Sequence, residues 1–216
     1  MNLDERATGL ILRTRPLTET SLIVHWLTSD LGRLATVARG ARRPKSPFRG
    51  KLDLFYLADF SFARSRRSDL HTLREARLRE THSALRHNLT CLQQASYCAM
   101  LLEQTTETET PLEGMFGLLT SLLGHLPQHS AQPLTILAFE AKLLQELGLS
   151  PEVQKTPLSP GAKHILSSLV KLDWHALPGL KPNPALGLEL EGFLRHFLLL
   201  HLGKIPRGRD LALRTG

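Results

Sequence analysis

The sequence predicts an α+β protein in which a small closed β-barrel precedes an all-helical region. Three observations predict it. Up to about Arg79 apolar residues are mostly spaced as in strands, and beyond residue 80 they recur at helical spacing. The formal charge of +7 also lies wholly in the first part. Residues 1–80 hold 16 Lys and Arg against 9 Asp and Glu, whereas residues 81–216 hold 11 of each. A uniform solubility charge would not be placed that way, so the expected domains are 1–80 and 81–216.

The strands follow in order. GLILRTR (Gly9–Arg15) is β-rich and closed by Pro16, and SLIVHWLT (Ser21–Thr28) ends at Ser29 and Asp30. The turn through Gly32 leads to Arg33–Ala38, where Leu34, Thr36 and Ala38 alternate with Ala35 and Val37. A fourth strand is expected over Asp53–Ala63, and after a basic turn holding Arg64, Arg66 and Arg67 a fifth runs over Leu70–Leu78. Five short strands in so few residues fit an OB-fold, the five-stranded barrel that binds single strands across its face and loops.

The helices are equally marked. Leu89–Thr106 places Leu92, Ala95, Ala99 and Leu102 on one face. Thr110 as N-cap, Pro111 and Glu113 open the next, whose stripe runs from Leu112 through Leu119 to Leu126 before Pro127 ends it. Leu134–Leu147 stops at Gly148, a shorter helix starts at Ser159-Pro160, and Leu186–Leu202 is the last. Such stripes read as bundle core, a scaffold for the basic part.

Between the third and fourth strands lies the densest charge. Arg39, Arg42, Arg43, Lys45, Arg49 and Lys51 fall within thirteen residues, and no acid occurs between Asp30 and Asp53. Gly40, Pro44, Pro47 and Gly50 forbid regular structure there, so an exposed, mobile loop suited to a polyanion is expected. Arg33, Arg66 and Arg67 are expected to flank it. Trp26, Phe48, Phe55, Tyr56, Phe60 and Phe62 share this basic third. Phe48, inside the loop, reads either as a base-stacking face or as an anchor packed onto the barrel; Phe60 and Phe62 read as core.

No catalytic constellation is present. The sequence holds no G-x-x-x-x-G-K-[ST] loop, no G-x-G-x-x-G and no G-x-S-x-G elbow. His125 and His129 have helical ligand spacing, but Pro127 between them is expected to break their shared face. His87, Cys91 and Cys98 lie on one predicted helix face, which cannot close a tetrahedral site; the cysteines read as small buried apolar groups. His196 and His201 share no face, and Glu103, Glu107, Glu109 and Glu113 read as a solvated acidic edge. The N-terminus is acidic where a signal peptide is basic, and no apolar run approaches a membrane span, so a cytoplasmic location is expected.

The segments GLILRTR (Gly9–Arg15) and ETSL (Glu19–Leu22) resemble the opening of the bacterial RecO family of DNA repair proteins. So does GRLATVARGARR (Gly32–Arg43) with Ser46 and Phe48 behind it. DLHTLREA (Asp69–Ala76), LLQELGLSP (Leu143–Pro151) and HLGKIPRGR (His201–Arg209) extend the likeness over nearly the whole chain. The resemblance implies an OB-fold followed by a helical domain. It also implies a recombination mediator that binds single- and double-stranded DNA and anneals complementary strands. With RecR, it implies, such a protein loads RecA on strands coated by single-strand-binding protein (SSB), whose C-terminal tail it also binds. Arg39, Arg42 and Arg43 match the family's DNA-contacting positions. Many members carry a four-cysteine zinc module after Leu-Gly-x-x-Pro; here Glu152–Ser159 holds no cysteine, so no zinc and no cofactor are expected. The expected protein is not an enzyme. The rival readings are an OB-type RNA-binding or ribosome-associated protein, and a hydrolase built on scattered His and Glu.

Overall fold

Alternating strands need partners on both edges, and in the computed structural model, which describes residues 4–129 and 131–214, they find them by closing a barrel. The strands are β1 (Asp4–Pro16), β2 (Leu22–Thr28), β3 (Arg33–Ala38), β4 (Leu57–Ala63) and β5 (Leu70–Glu80), in the order β1-β2-β3-β5-β4. Long β1 serves two neighbours: its first half pairs with β4 and its second with β2, across a bulge between Ile11 and Arg13. All pairings are antiparallel except β3 with β5, which run parallel from Ala35↔Leu70 to Val37↔Thr72.

This is the five-stranded barrel expected, with two boundaries moved by four or more residues and the others within two. β1 starts at Asp4 rather than Gly9, because β4 pairs the charged Asp4–Thr8 stretch through its backbone. β4 starts at Leu57 rather than Asp53, because Tyr56 N donates to Asp53 O (3.1 Å) in a turn. Inward residues interdigitate around Trp26, which stacks on Phe60 at 4.1 Å between ring centroids and donates its indole N–H to Thr36 Oγ1 (2.9 Å).

The chain forms two compact units. The first joins residues through Ser83 with Thr106–Gly117; the second joins Ala84–Thr105 with the chain from Leu118 on. The 106–117 segment is tied to the barrel by its backbone. Glu109 N donates to Arg33 O (2.9 Å), and Leu112 N to Ser29 O (2.9 Å). The capping box read at Thr110 and Glu113 therefore does not form: the helix begins at Glu113, and Thr110 Oγ1 turns to Thr108 O (3.5 Å). Glu109 is exposed, as expected, but it is not idle: it accepts from Arg64 (2.6 Å) and bonds His71 (2.9 Å).

Among the described residues the helices are α1 (Leu89–Thr105), α2 (Glu113–His125), α3 (Pro133–Glu146), α4 (Pro160–Lys171), α5 (Pro184–Leu202) and short α6 (Arg209–Ala212). Ser159 and Asn183 cap α4 and α5, accepting from Ala162 N (3.3 Å) and Leu186 N (2.9 Å), with proline at the first helical position in each. Leu190, Leu194 and Leu198 of α5 are buried, while Phe193 and Phe197 are only half-buried. Cys91 and Cys98 are buried free thiols, and burial raises the pKa of both.

α3 is buried along almost its whole length, including Glu140. Its carboxylate accepts two bonds from Arg209 (2.7 and 2.9 Å) and one from Tyr97 Oη (2.6 Å), all inside the helical unit. Burial opposes the Arg209 charge, but Glu140 outweighs it and the guanidinium pKa is raised.

Candidate nucleic-acid interface

The basic loop leaves β3 at Ala38 and re-enters the sheet at Leu57. Its prolines and glycines do specific work there. Backbone bonds Ala41 N to Ala38 O, Arg43 N to Gly40 O, Ser46 N to Arg43 O, Arg49 N to Ser46 O and Lys51 N to Phe48 O (3.0–3.3 Å) close five overlapping turns. Pro44 and Pro47 occupy second positions, where a fixed φ helps, and Gly40 (φ 67°) and Gly50 (φ 72°) occupy third positions that require positive φ. The loop is thus a rolled chain of turns. Arg42 N donates to Thr20 O (3.0 Å), fastening it to the β1–β2 turn.

The anchor is Phe48. Its ring is 7% exposed and belongs to the cluster of Ile11, Trp26, Leu34 and Phe60. The stacking reading of Phe48 is therefore corrected to the anchor reading. Trp26, Phe55, Phe60 and Phe62 are buried too, which leaves Tyr56 as the half-buried member of the six aromatics.

With Phe48 inside, the cations stay outside. Arg39, Arg42, Arg43, Lys45 and Arg49 are exposed and Lys51 half-buried. Among the described residues none of these six pairs with a carboxylate; Arg42 and Arg49 donate instead to Thr18 O and Pro44 O (3.2 Å each). Arg39 and Arg43 line a hollow beside Thr18, Thr20 and Ser21, and Arg43 continues into a second one with Arg42 and Arg49. Phe48 borders that second hollow and a cleft of about 850 Å³, where Lys51 meets Arg6, Arg74 and Arg77. Acids offset charge in the cleft: Asp59 is held by Arg79 (2.8 Å) and Thr8 (2.7 Å), and Arg74 lies 3.5 Å from Asp4. Arg79 lowers the Asp59 pKa accordingly. Arg6, Arg74 and Arg77 escaped sequence reading because scattered cations on the separate strands β1 and β5 look like any solvated sheet face.

The expected flank is not where the loop is. Arg33 opens β3, at the end away from the loop, and its guanidinium donates to Thr106 O, a strut of the first unit. Arg66 and Arg67 sit in the β4–β5 turn, at the other end of β4. Strand connectivity separates them; charge alone had grouped them.

His25 lies on β2 opposite Arg13, with its Nε2 buried and unbonded. Desolvation first, then Arg13, Arg15 and Arg33, lower its pKa from 6.5 to about 4. The folded ring stays neutral while the unfolded one binds a proton below pH 6.5, so stability is full above that pH and falls as pH drops toward 4. The loss expected over that window, discounted for partial exposure, is about 1–3 kcal/mol. Imidazole NMR titration checks it: the His25 midpoint is expected near 4, and a midpoint near 6.5 would contradict the burial argument.

A closed five-stranded barrel bearing a cationic loop with no carboxylate partner among the described residues, followed by a helical unit, defines an OB-type protein with a helical extension. Comparison with known proteins gives the family. Residues 1–82 match the model for the Recombination protein O N terminal domain, and residues 86–157 that for the C terminal domain. The chain is 36% identical over 147 residues to a "DNA repair protein RecO" of Rhodopirellula baltica, covering 68% of this chain and 54% of that protein. It is 25% identical over 224 residues to that of Bacillus pumilus (89% and 87%) and 31% identical over 161 residues to that of a Cyanothece species (74% and 54%). The match thus spans about half the length of two of these three relatives. The chain belongs to the RecO family.

Proposed function

We propose that this chain is a DNA repair and recombination mediator that holds DNA on the 39–51 loop and makes or breaks no covalent bond. The observation carrying this reading is the set of six cations on one rolled loop, none bound to a carboxylate among the described residues. Charges so placed repel one another in the free protein and gain when phosphates arrive. Two strands bound side by side would have their mutual repulsion screened, which lowers the barrier to annealing. Single and double strands are both taken as ligands, because phosphate contacts are independent of sequence. RecR, the SSB tail and, through them, RecA are the partners that family membership suggests, at the nucleoid in the cytoplasm. Among the described residues no helix is long and apolar enough to cross a membrane.

The test is a salt titration of binding to single-stranded DNA. Six phosphate contacts give a slope of log K against log salt of roughly −4, at about 0.7 per contact. Arg42→Ala with Arg43→Ala is expected to weaken all sequences alike and flatten the slope by about 1.4. An unchanged slope removes the loop from the interface. The same series with RNA oligomers addresses the rival reading: preference for structured RNA without DNA annealing would favour it.

A further inference from the structure

α2 ends at His125, and the chain tightens into a 3₁₀ turn over Leu126–Gln128. Pro127, expected to separate His125 from His129, instead sits within this turn, where its missing amide costs nothing. The tighter winding brings His129 back over His125. Their rings stack at 4.1 Å, and His129 Nδ1 lies 3.3 Å from His125 O. A third imidazole, His175, arrives from the 3₁₀ turn Trp174–Gly179, with ring centroids 5.5 and 5.6 Å from the other two. One ring nitrogen from each lies within 4.8 Å of the others, all inside the helical unit.

A second observation concerns His125 alone. The residue is 4% exposed, and its Nδ1 has no hydrogen-bond partner. A buried polar atom left unbonded costs about 1–3 kcal/mol, so its persistence asks for a reason. Burial, then the two neighbouring imidazoles, keep this ring neutral near pH 7, with a lone pair to give.

We propose that His125, His129 and His175 form a site for a divalent transition-metal ion, zinc first, with water as the fourth ligand. Three imidazoles without a carboxylate suit zinc and its neighbours rather than magnesium or calcium. Tetrahedral bonds of about 2.1 Å require nitrogens about 3.4 Å apart. The present spacing, up to 4.8 Å, closes by rotation of exposed His175 and half-buried His129. Bound metal would clip the end of α2 to the turn that precedes α5. The site runs against the sequence expectation of no metal, which rested on missing cysteines and on Pro127.

The experiment uses the full chain without an affinity tag, stripped with chelator and titrated with cobalt(II) chloride, then zinc chloride. Expected are one equivalent of cobalt with the visible absorption of tetrahedral coordination, its displacement by zinc, and a raised thermal midpoint. His175→Ala, at an exposed position, is expected to lose at least about tenfold in affinity, the least that even an outer-shell loss costs, together with the thermal shift. His164→Ala, also exposed, is expected to keep both. No saturable cobalt binding by the unsubstituted chain, or unchanged binding by His175→Ala, overturns the proposal.

Discussion

Arg209→Ala is expected to destabilise the helical unit by about 3–5 kcal/mol, because it leaves a buried carboxylate without its counter-charge. Glu140 is 0% and Arg209 2% exposed, and the pair is bidentate with Tyr97 as a third partner. Water does not reach Glu140 to compensate. Replacing both charges, as in Arg209→Met with Glu140→Leu, is expected to cost less than Arg209→Ala alone, since no charge is then stranded. Urea unfolding followed by helical circular dichroism measures this. A loss under about 1 kcal/mol for Arg209→Ala would mean that the carboxylate is solvated or protonated, and the burial argument fails.

Phe48→Ala should be nearly as costly, at about 3–5 kcal/mol to the barrel, because it empties a core position and frees the loop. Phe48→Leu keeps most of the volume and is expected to cost under about 1.5 kcal/mol. A stacking residue would behave in the opposite way. Its loss would spare stability and weaken single-strand binding by about 1–3 kcal/mol per base. Thermal unfolding and a binding titration on the same variant separate the two roles. An unaltered melting midpoint for Phe48→Ala would return the ring to the surface.

What was legible from sequence is what local periodicity encodes. β-rich apolar runs and, in β3, strict alternation marked the strands, and the stripes of the long helices marked those, because each element repeats its need for burial along a short stretch. The cationic loop was legible because charge density needs no partner to be seen. Long-range pairing was not. Arg33 reads as another loop-side cation until Thr106 is known to lie beside it. α6 is four residues long, too short for any period, so nothing in the sequence singles out Arg209 as buried. His175 is remote in sequence from His125 and His129, and its arrival depends on how the Trp174–Gly179 turn packs.

Because the 39–51 segment is wound into hydrogen-bonded turns and pinned by Phe48, its conformational entropy is lost when the barrel folds. A nucleic acid docking there would not have to organise the segment that receives it. Its encounter would be limited by counterion exchange and orientation, so association should be fast and depend on ionic strength far more than on temperature-driven ordering.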